Sequence, residues 1–148
     1  MSYPNNRYTA YKETLVNTSS PTKLVVLLYQ GAIRFLRQSI DDIGKKDMVA
    51  KAQSIDRAVA IIQHLQATLD LKRGQVIAQD LDRLYIYAMD RILDGSAKLQ
   101  AAPIEEAIKV LSTLLAGWEE ISKREAETTV PAGVLASQTA TGHFNLHA

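Results

Sequence analysis

Apolar residues recur along this chain at steps of three and four, and this period constrains its fold more than any other feature. A helix completes a turn in about 3.6 residues, so residues spaced in this way share one face. Between residues 55 and 69 the series is Ile55, Val59, Ile62, Leu65 and Leu69. The alternation of apolar and polar residues that is typical of strands is absent. The chain is therefore predicted to be all-α.

The sequence predicts four long helices. The first begins at Ser20 and Pro21, a serine cap followed by a proline in the first turn, and runs to about Ile43. The residues that mark the starts of the other three are, in order, the cap Asp47, Gly74 and Pro103. The core-facing stripe of the third long helix is predicted to consist of Ile77, Leu81, Leu84, Tyr85, Ala88 and Ile92.

A short extra helix is predicted upstream of these, over residues 7–17. Tyr8, Tyr11 and Leu15 are spaced three and four apart and lie on one face of it. A helix this short is marginal in water on its own, so we expect it to be ordered by docking on the rest of the fold.

Connections of about three to five residues join the long helices, and such short turns make consecutive helices antiparallel. The predicted architecture is an antiparallel up-and-down four-helix bundle with a short extra N-terminal helix. It occupies residues 1–127 as one domain, which suits a chain of 148 residues. After Glu127 the composition shifts to Thr, Ala, Gly and Ser with almost no charge, so residues 128–148 are predicted to be a disordered tail.

Composition excludes several classes of partner and compartment. The net charge is +1, from 17 basic and 16 acidic residues, which gives no broad field for nucleic acid. The longest strongly apolar run, residues 24–29, is far shorter than the roughly 20 residues that span a membrane. The N-terminus lacks the apolar core of a signal peptide. We therefore expect a cytoplasmic protein that neither binds nucleic acid nor inserts into membranes.

The residues that carry catalysis are also missing. The chain has no cysteine, and none of His64, His143 and His147 follows a glutamate by three residues, as di-iron bundle enzymes require. The glycines are isolated, so no phosphate-binding loop is present. No catalytic residue, metal site or cofactor is predicted, and the chain is not expected to be an enzyme.

The segment Leu24–Tyr29 is apolar in every direction around the helix, whereas a bundle helix normally keeps a solvent face. Something must cover this turn. One interpretation is that the short N-terminal helix covers it permanently. Another is that the turn is the floor of a groove for a guest helix, with the N-terminal helix as a displaceable lid. A third is that a second copy of the chain buries it. Tyr87 lies outside the core stripe and fits a binding role or ordinary packing.

Five short motifs resemble, in the same order, those of the flagellin-specific export chaperones of the FliS family. The residues that carry the resemblance are Ala10-Tyr11; Ser20-Pro21-Thr22-Lys23-Leu24; Leu28-Tyr29-Gln30-Gly31-Ala32-Ile33; Gly74, Ile77-Ala78, Leu81, Leu84-Tyr85, Tyr87 and Arg91; and Ile104-Glu105-Glu106, Leu111, Trp118 and Ile121. The chain departs from the family pattern at Ile86, usually polar, at Ala88, often methionine, and in its long C-terminal tail.

The resemblance implies a cytoplasmic chaperone that works without ATP. It would bind the disordered C-terminal segment of flagellin, prevent premature polymerisation and assist delivery to the flagellar type III export gate. The flagellin-binding groove is predicted to comprise Leu24, Leu27, Leu28, Tyr29, Ala32, Tyr85 and Tyr87. Tyr8, Tyr11 and Leu15 would form the lid and contribute to docking at the export gate. The alternatives are a self-associating structural bundle, which would be a homodimer when unliganded, and a regulatory adaptor for another protein.

Overall fold

The computed structural model describes residues 20–71 and 74–129, without the side chains of Gln75 and Thr129. They form four helices: α1 (Pro21–Gly44), α2 (Met48–Ala67), α3 (Gln75–Lys98) and α4 (Ala101–Thr129). α1 and α3 lie at opposite corners, and each of them packs against both α2 and α4. The four-helix bundle is therefore confirmed. The short helix predicted over residues 7–17 lies outside the described residues, and so do residues 130–148.

Two of the predicted helix starts are confirmed by their caps. The Ser20 hydroxyl accepts a hydrogen bond from the Lys23 backbone N–H at 3.1 Å, and Pro21 follows in the first turn of α1. The Asp47 carboxylate accepts from the Ala50 N–H at 3.1 Å and caps α2. Each side chain satisfies an N–H that the helix itself leaves without a partner, so the two starts are fixed locally.

The connection between α3 and α4 is the shortest of the three between the described helices. α3 continues through Gly95 to Lys98, and the left-handed residue Leu99 (φ 55°) ends it. A Cβ added at Gly95 would lie 2.7 Å from the Gln100 carbonyl oxygen and 2.7 Å from Ile104 Cγ1. Glycine at this position therefore lets α4 start directly against the end of α3.

α4 begins and ends outside its predicted limits. It starts at Ala101, two residues before Pro103. Proline is tolerated there because the N–H groups of the first turn have no partner within the helix, so its missing N–H costs no hydrogen bond. It ends at Thr129, beyond the boundary expected at residue 127.

Each helix contributes one buried stripe to the core. The stripe predicted for α2 is confirmed: Ile55, Ile62 and Leu65 are buried, and Val59 and Leu69 pack against them. The stripe predicted for α3 was wrong at two positions, since Ile77 and Leu84 are exposed and Ala78 is buried instead. With Tyr85 pointing inward, Ile77 and Leu84 lie about 80° and 100° round the helix from it, at the edge of the buried face.

One buried carboxylate links α1 to α2. Asp42 accepts hydrogen bonds from Ser54 Oγ at 3.1 Å and from Gln38 Nε2 at 3.0 Å. These bonds replace the water that the carboxylate loses on burial. None of the described helices is long and apolar enough to cross a membrane.

Candidate functional site

The apolar segment Leu24–Tyr29 forms the first turns of α1, and the structure leaves none of its side chains fully exposed. Val26 and Tyr29 are buried, and Val25 and Leu28 pack against the core. Leu24 and Leu27 are half-buried but do not belong to the core cluster. These two leucines are therefore the part of the segment that the core does not use.

The side of α1 that carries Leu24 and Leu28 faces α2. Gly31 and Phe35 continue that side at steps of three and four, since a helical face repeats with this spacing. A Cβ at Gly31 would lie 3.5 Å from Ile61 Cδ1, and the Arg57 guanidinium lies 5.8 Å from the centre of the Phe35 ring. Leu24 and Leu28 thus lie where the seam between α1 and α2 reaches the N-terminal end of α1, whereas Leu27, about 100° round the helix from Leu28, lies away from that seam.

Tyr29, Ala32 and Tyr85, predicted as groove residues, lie in the core. The two tyrosine hydroxyls are 2.5 Å apart and share a hydrogen bond across the bundle, with ring centroids separated by 6.3 Å. Trp118 packs against the same core cluster. Ala32 is 0% exposed and follows Tyr29 by three residues on the same inward face. None of the three can line an open groove in this conformation.

Burial raises the pKa of both tyrosines. Loss of hydration is the main cause for each, and the hydrogen bond shared with Tyr29 raises the pKa of Tyr85 further. For Tyr29 the hydrogen bond to Tyr85 partly opposes the effect of burial, and Trp118 acts in the same direction. The pair therefore stays protonated and neutral in the folded chain well above neutral pH.

Tyr87 lies on the opposite side of the molecule from Leu24 and Leu28. It is two residues after the inward-facing Tyr85, about 200° round α3, and its side chain is exposed. Arg91, one turn further on, donates to Glu106 of α4 at 3.4 Å. Tyr87 therefore belongs to the side of α3 that borders α4, and the predicted groove is split into two separate surfaces.

The second surface contains apolar side chains that the sequence prediction assigned elsewhere or did not use. We call it the α3–α4 face and define it by Ile77, Leu84, Tyr87 and Ile121, which are 74%, 36%, 45% and 41% exposed. The seven-residue spacing of Ile77 and Leu84 continues to the polar Arg91 rather than to a core residue. This pattern in the sequence could have indicated that their side of α3 is exposed.

Two shallow clefts also lie between α1 and α4. One has a volume of about 330 Å³ and the other about 480 Å³, and both are bordered by Arg37. Ile33 and Leu115 form the apolar part of the first cleft, and Arg34 lies at its edge. Within the described ranges, no three histidine or carboxylate side chains come together as ligands of a metal ion would.

The predicted lid residues Tyr8, Tyr11 and Leu15 lie outside the described residues. The structure therefore places four of the predicted groove residues at two surfaces, namely Leu24, Leu27 and Leu28 at the start of α1 and Tyr87 on the α3–α4 face. The other three are in the core.

Comparison with known proteins agrees with the bundle and with the motifs along it. The family model described as "Flagellar protein FliS" matches residues 4–125. The flagellar secretion chaperone FliS of Salmonella typhimurium is 34% identical over 113 residues, which cover 76% of this chain and 84% of the relative. FliSB of Pseudomonas aeruginosa is 31% identical over 110 residues, with coverage of 74% and 87%. FliS of Bacillus subtilis is 28% identical over 131 residues, with coverage of 88% and 97%. The chain belongs to the FliS family of flagellar secretion chaperones.

Proposed function

We propose that this flagellar secretion chaperone binds the disordered C-terminal segment of flagellin in the cytoplasm. It prevents premature polymerisation of that segment and assists its delivery to the flagellar type III export gate. One structural observation carries the proposal: Leu24 and Leu27, at the start of α1, are apolar side chains that the core cluster does not use. Membership of a family of secretion chaperones supplies the biological context.

The guest would lay an apolar stripe along the start of α1, where Leu24, Leu27 and Leu28 follow one another round the helix. Leu28 also packs against the core, so it anchors this surface to the bundle. Tyr8, Tyr11 and Leu15 would cover the surface in the free chaperone and take part in docking at the export gate. Part of the interaction free energy is spent on ordering a guest that is unfolded beforehand.

Tyr87 offers a second contact for the same guest on the far side of the bundle. A flagellin segment that reaches both surfaces has to pass around the molecule rather than lie in one groove. Such a guest would bury more of its own apolar surface than one groove allows, which suits a chaperone that must keep an amphipathic segment from self-association.

Binding of a flagellin C-terminal peptide tests the proposal. In Leu27→Asp we expect affinity to fall about tenfold, equivalent to about 1.4 kcal/mol, because a carboxylate replaces an apolar contact with the guest. Isothermal titration calorimetry measures the affinity, and the wild type should bind with a negative heat-capacity change. Leu27 is preferred to Leu28 for this test because Leu28 also supports the core.

Val49→Asp is the matched control. Val49 is exposed at the start of α2, at the other end of the bundle, and is replaced by the same residue. It should leave both the affinity and the helical circular dichroism unchanged. Absence of any heat with the wild-type chain at micromolar concentration would refute the flagellin proposal. A dimer seen by light scattering in such a sample would favour the self-associating bundle.

A further inference from the structure

The α3–α4 face is an apolar surface that no other described residue covers. Ile77 projects from the first turn of α3, and Ile121 lies two turns before the end of α4. Leaving such side chains in water forfeits burial free energy in a bundle of this size. We therefore expect another segment or molecule to cover this face.

The four residues of the face lie along the seam between α3 and α4, which we call the trough. Ile77, Leu84 and Arg91 repeat every seven residues on α3, and the contact from Arg91 to Glu106 at 3.4 Å shows that this stripe faces α4. Because the two helices run antiparallel from the corner at Leu99, Ile77 lies level with Ile121. A Cβ at Gly117, between these levels on α4, would meet no atom within 4 Å. The trough is therefore open at the level of Gly117.

The charged side chains around this trough already pair with one another. Every ion pair that joins two described residues lies on α3 or α4: Arg83–Asp80, Arg91–Asp90, Arg91–Asp94, Arg91–Glu106, Lys98–Asp94 and Arg124–Glu120. An occupant of the trough does not need charges of its own to match this border. The border therefore suits an uncharged apolar segment.

Residues 130–148 have this composition. They contain no Asp, Glu, Lys or Arg, and their large apolar residues are Val130, Val134, Leu135, Phe144 and Leu146. The family match ends at residue 125, so neither the match nor the proposed flagellin contacts use this tail.

The tail also starts in the right place and is long enough. It follows Thr129, eight residues after Ile121 on the same helix. Pro131 cannot continue the helix, and Gly133 permits a reversal of the chain. An extended chain reaches about 50 Å from Thr129 to Phe144 at about 3.3 Å per residue. The distance back along α4 to Glu106 is only about 35 Å at about 1.5 Å per residue.

We propose that residues 130–148 turn back and occupy the trough of the α3–α4 face. In the free chaperone the tail thereby shields the exposed apolar side chains of this face, and it has to leave Tyr87 when the proposed flagellin guest contacts that residue. The occupant is a segment of the same chain, so occupation does not depend on protein concentration.

The absence of cysteine from the full chain makes a direct test simple. A nitroxide spin label on Asn145→Cys should broaden the NMR signals of backbone amides near Ile77, Leu84 and Ile121. The double variant Ile77→Asp/Leu84→Asp should abolish this broadening. Its matched control is Ile86→Asp/Leu93→Asp, with the same seven-residue spacing on the opposite edge of α3. Ile86 and Leu93 are 52% and 54% exposed, and the control should keep the broadening.

Four outcomes would overturn the proposal. Broadening confined to the last turn of α4 would mean that the tail does not turn back, and broadening at the start of α1 would place it on another surface. Broadening in unlabelled ¹⁵N chains mixed with spin-labelled chains would identify a second copy as the occupant. The tail variant Phe144→Asp/Leu146→Asp tests the contact from the other side and leaves the bundle unchanged, so persistent broadening there would also contradict the proposal. None of these measurements involves flagellin.

Discussion

Replacing Ala32 by aspartate should lower the free energy of unfolding by at least about 3 kcal/mol, because it places an unpaired carboxylate in the core. Ala32 is 0% exposed and lies one turn from the Tyr29–Tyr85 pair. A loss of this size is a large share of the 5 to 15 kcal/mol that typically stabilises a domain. Urea unfolding followed by circular dichroism measures it.

Ala60→Asp is the matched control for that experiment. Ala60 is also in the interior of a helix, but its side chain is exposed on α2. The control therefore carries the same loss of helix propensity, below about 1 kcal/mol, without burying a charge. If Ala32→Asp were as stable as Ala60→Asp and lost only peptide binding, Ala32 would belong to a groove, as the sequence predicted.

Each single variant of the buried tyrosine pair, Tyr29→Phe or Tyr85→Phe, should cost about 1 to 3 kcal/mol of stability. Removal of one hydroxyl leaves the other buried without its partner, and an unsatisfied buried hydroxyl costs more than the hydrogen bond itself contributes. The double variant removes both hydroxyls, so it should cost less than the sum of the two single variants. Denaturant unfolding of the wild type, the two single variants and the double variant gives the coupling free energy between the two hydroxyls. Additive losses would show that the 2.5 Å contact contributes nothing.

The same four chains should differ at alkaline pH. Folding raises the pKa of both tyrosines from the ordinary value of 10.0. Above pH 10 the tyrosines of the unfolded chain therefore lose their protons first, which favours unfolding. The contribution of the pair to the free energy of unfolding is complete below pH 10 and is lost as the pH rises above it. The double phenylalanine variant lacks both titrating groups and should lose less stability over that range. An equally steep loss in both chains would assign it to other residues.

Features encoded by neighbouring residues could be predicted from the sequence. The caps at Ser20 and Asp47 depend on a side chain and an N–H three residues later, and both were found as expected. The four helices follow from the spacing of apolar residues in the same way. The end of α3 is not fixed by its neighbouring residues, because Gly95 looks like a helix terminator. Its actual role is the close approach of Ile104, a residue of the next helix.

The candidate site was harder to predict because it depends on which helices are neighbours. An apolar segment such as Leu24–Tyr29 has the same composition whether its residues face the core or a guest. Tyr29 and Ala32 turned out to face the core. Leu84 and Tyr85 are adjacent in sequence and both apolar in character, and only packing against the other helices decides that Tyr85 points inward. Tyr87 was grouped with the start of α1, although the two lie on opposite sides of the bundle.

The contacts between α1 and α4 affect the order in which the chain can fold. The Thr22 hydroxyl donates to Glu125 at 3.1 Å across 103 residues, and Gln30 approaches Glu119 at 3.5 Å across 89 residues. By contrast, only Leu99 and Gln100 separate α3 from α4, so that helical hairpin closes at little cost in chain entropy. During synthesis on the ribosome, α1 emerges first but gains its last neighbour only after α4 has been made. α1, the first of the described helices, therefore spends most of translation with one side unpacked.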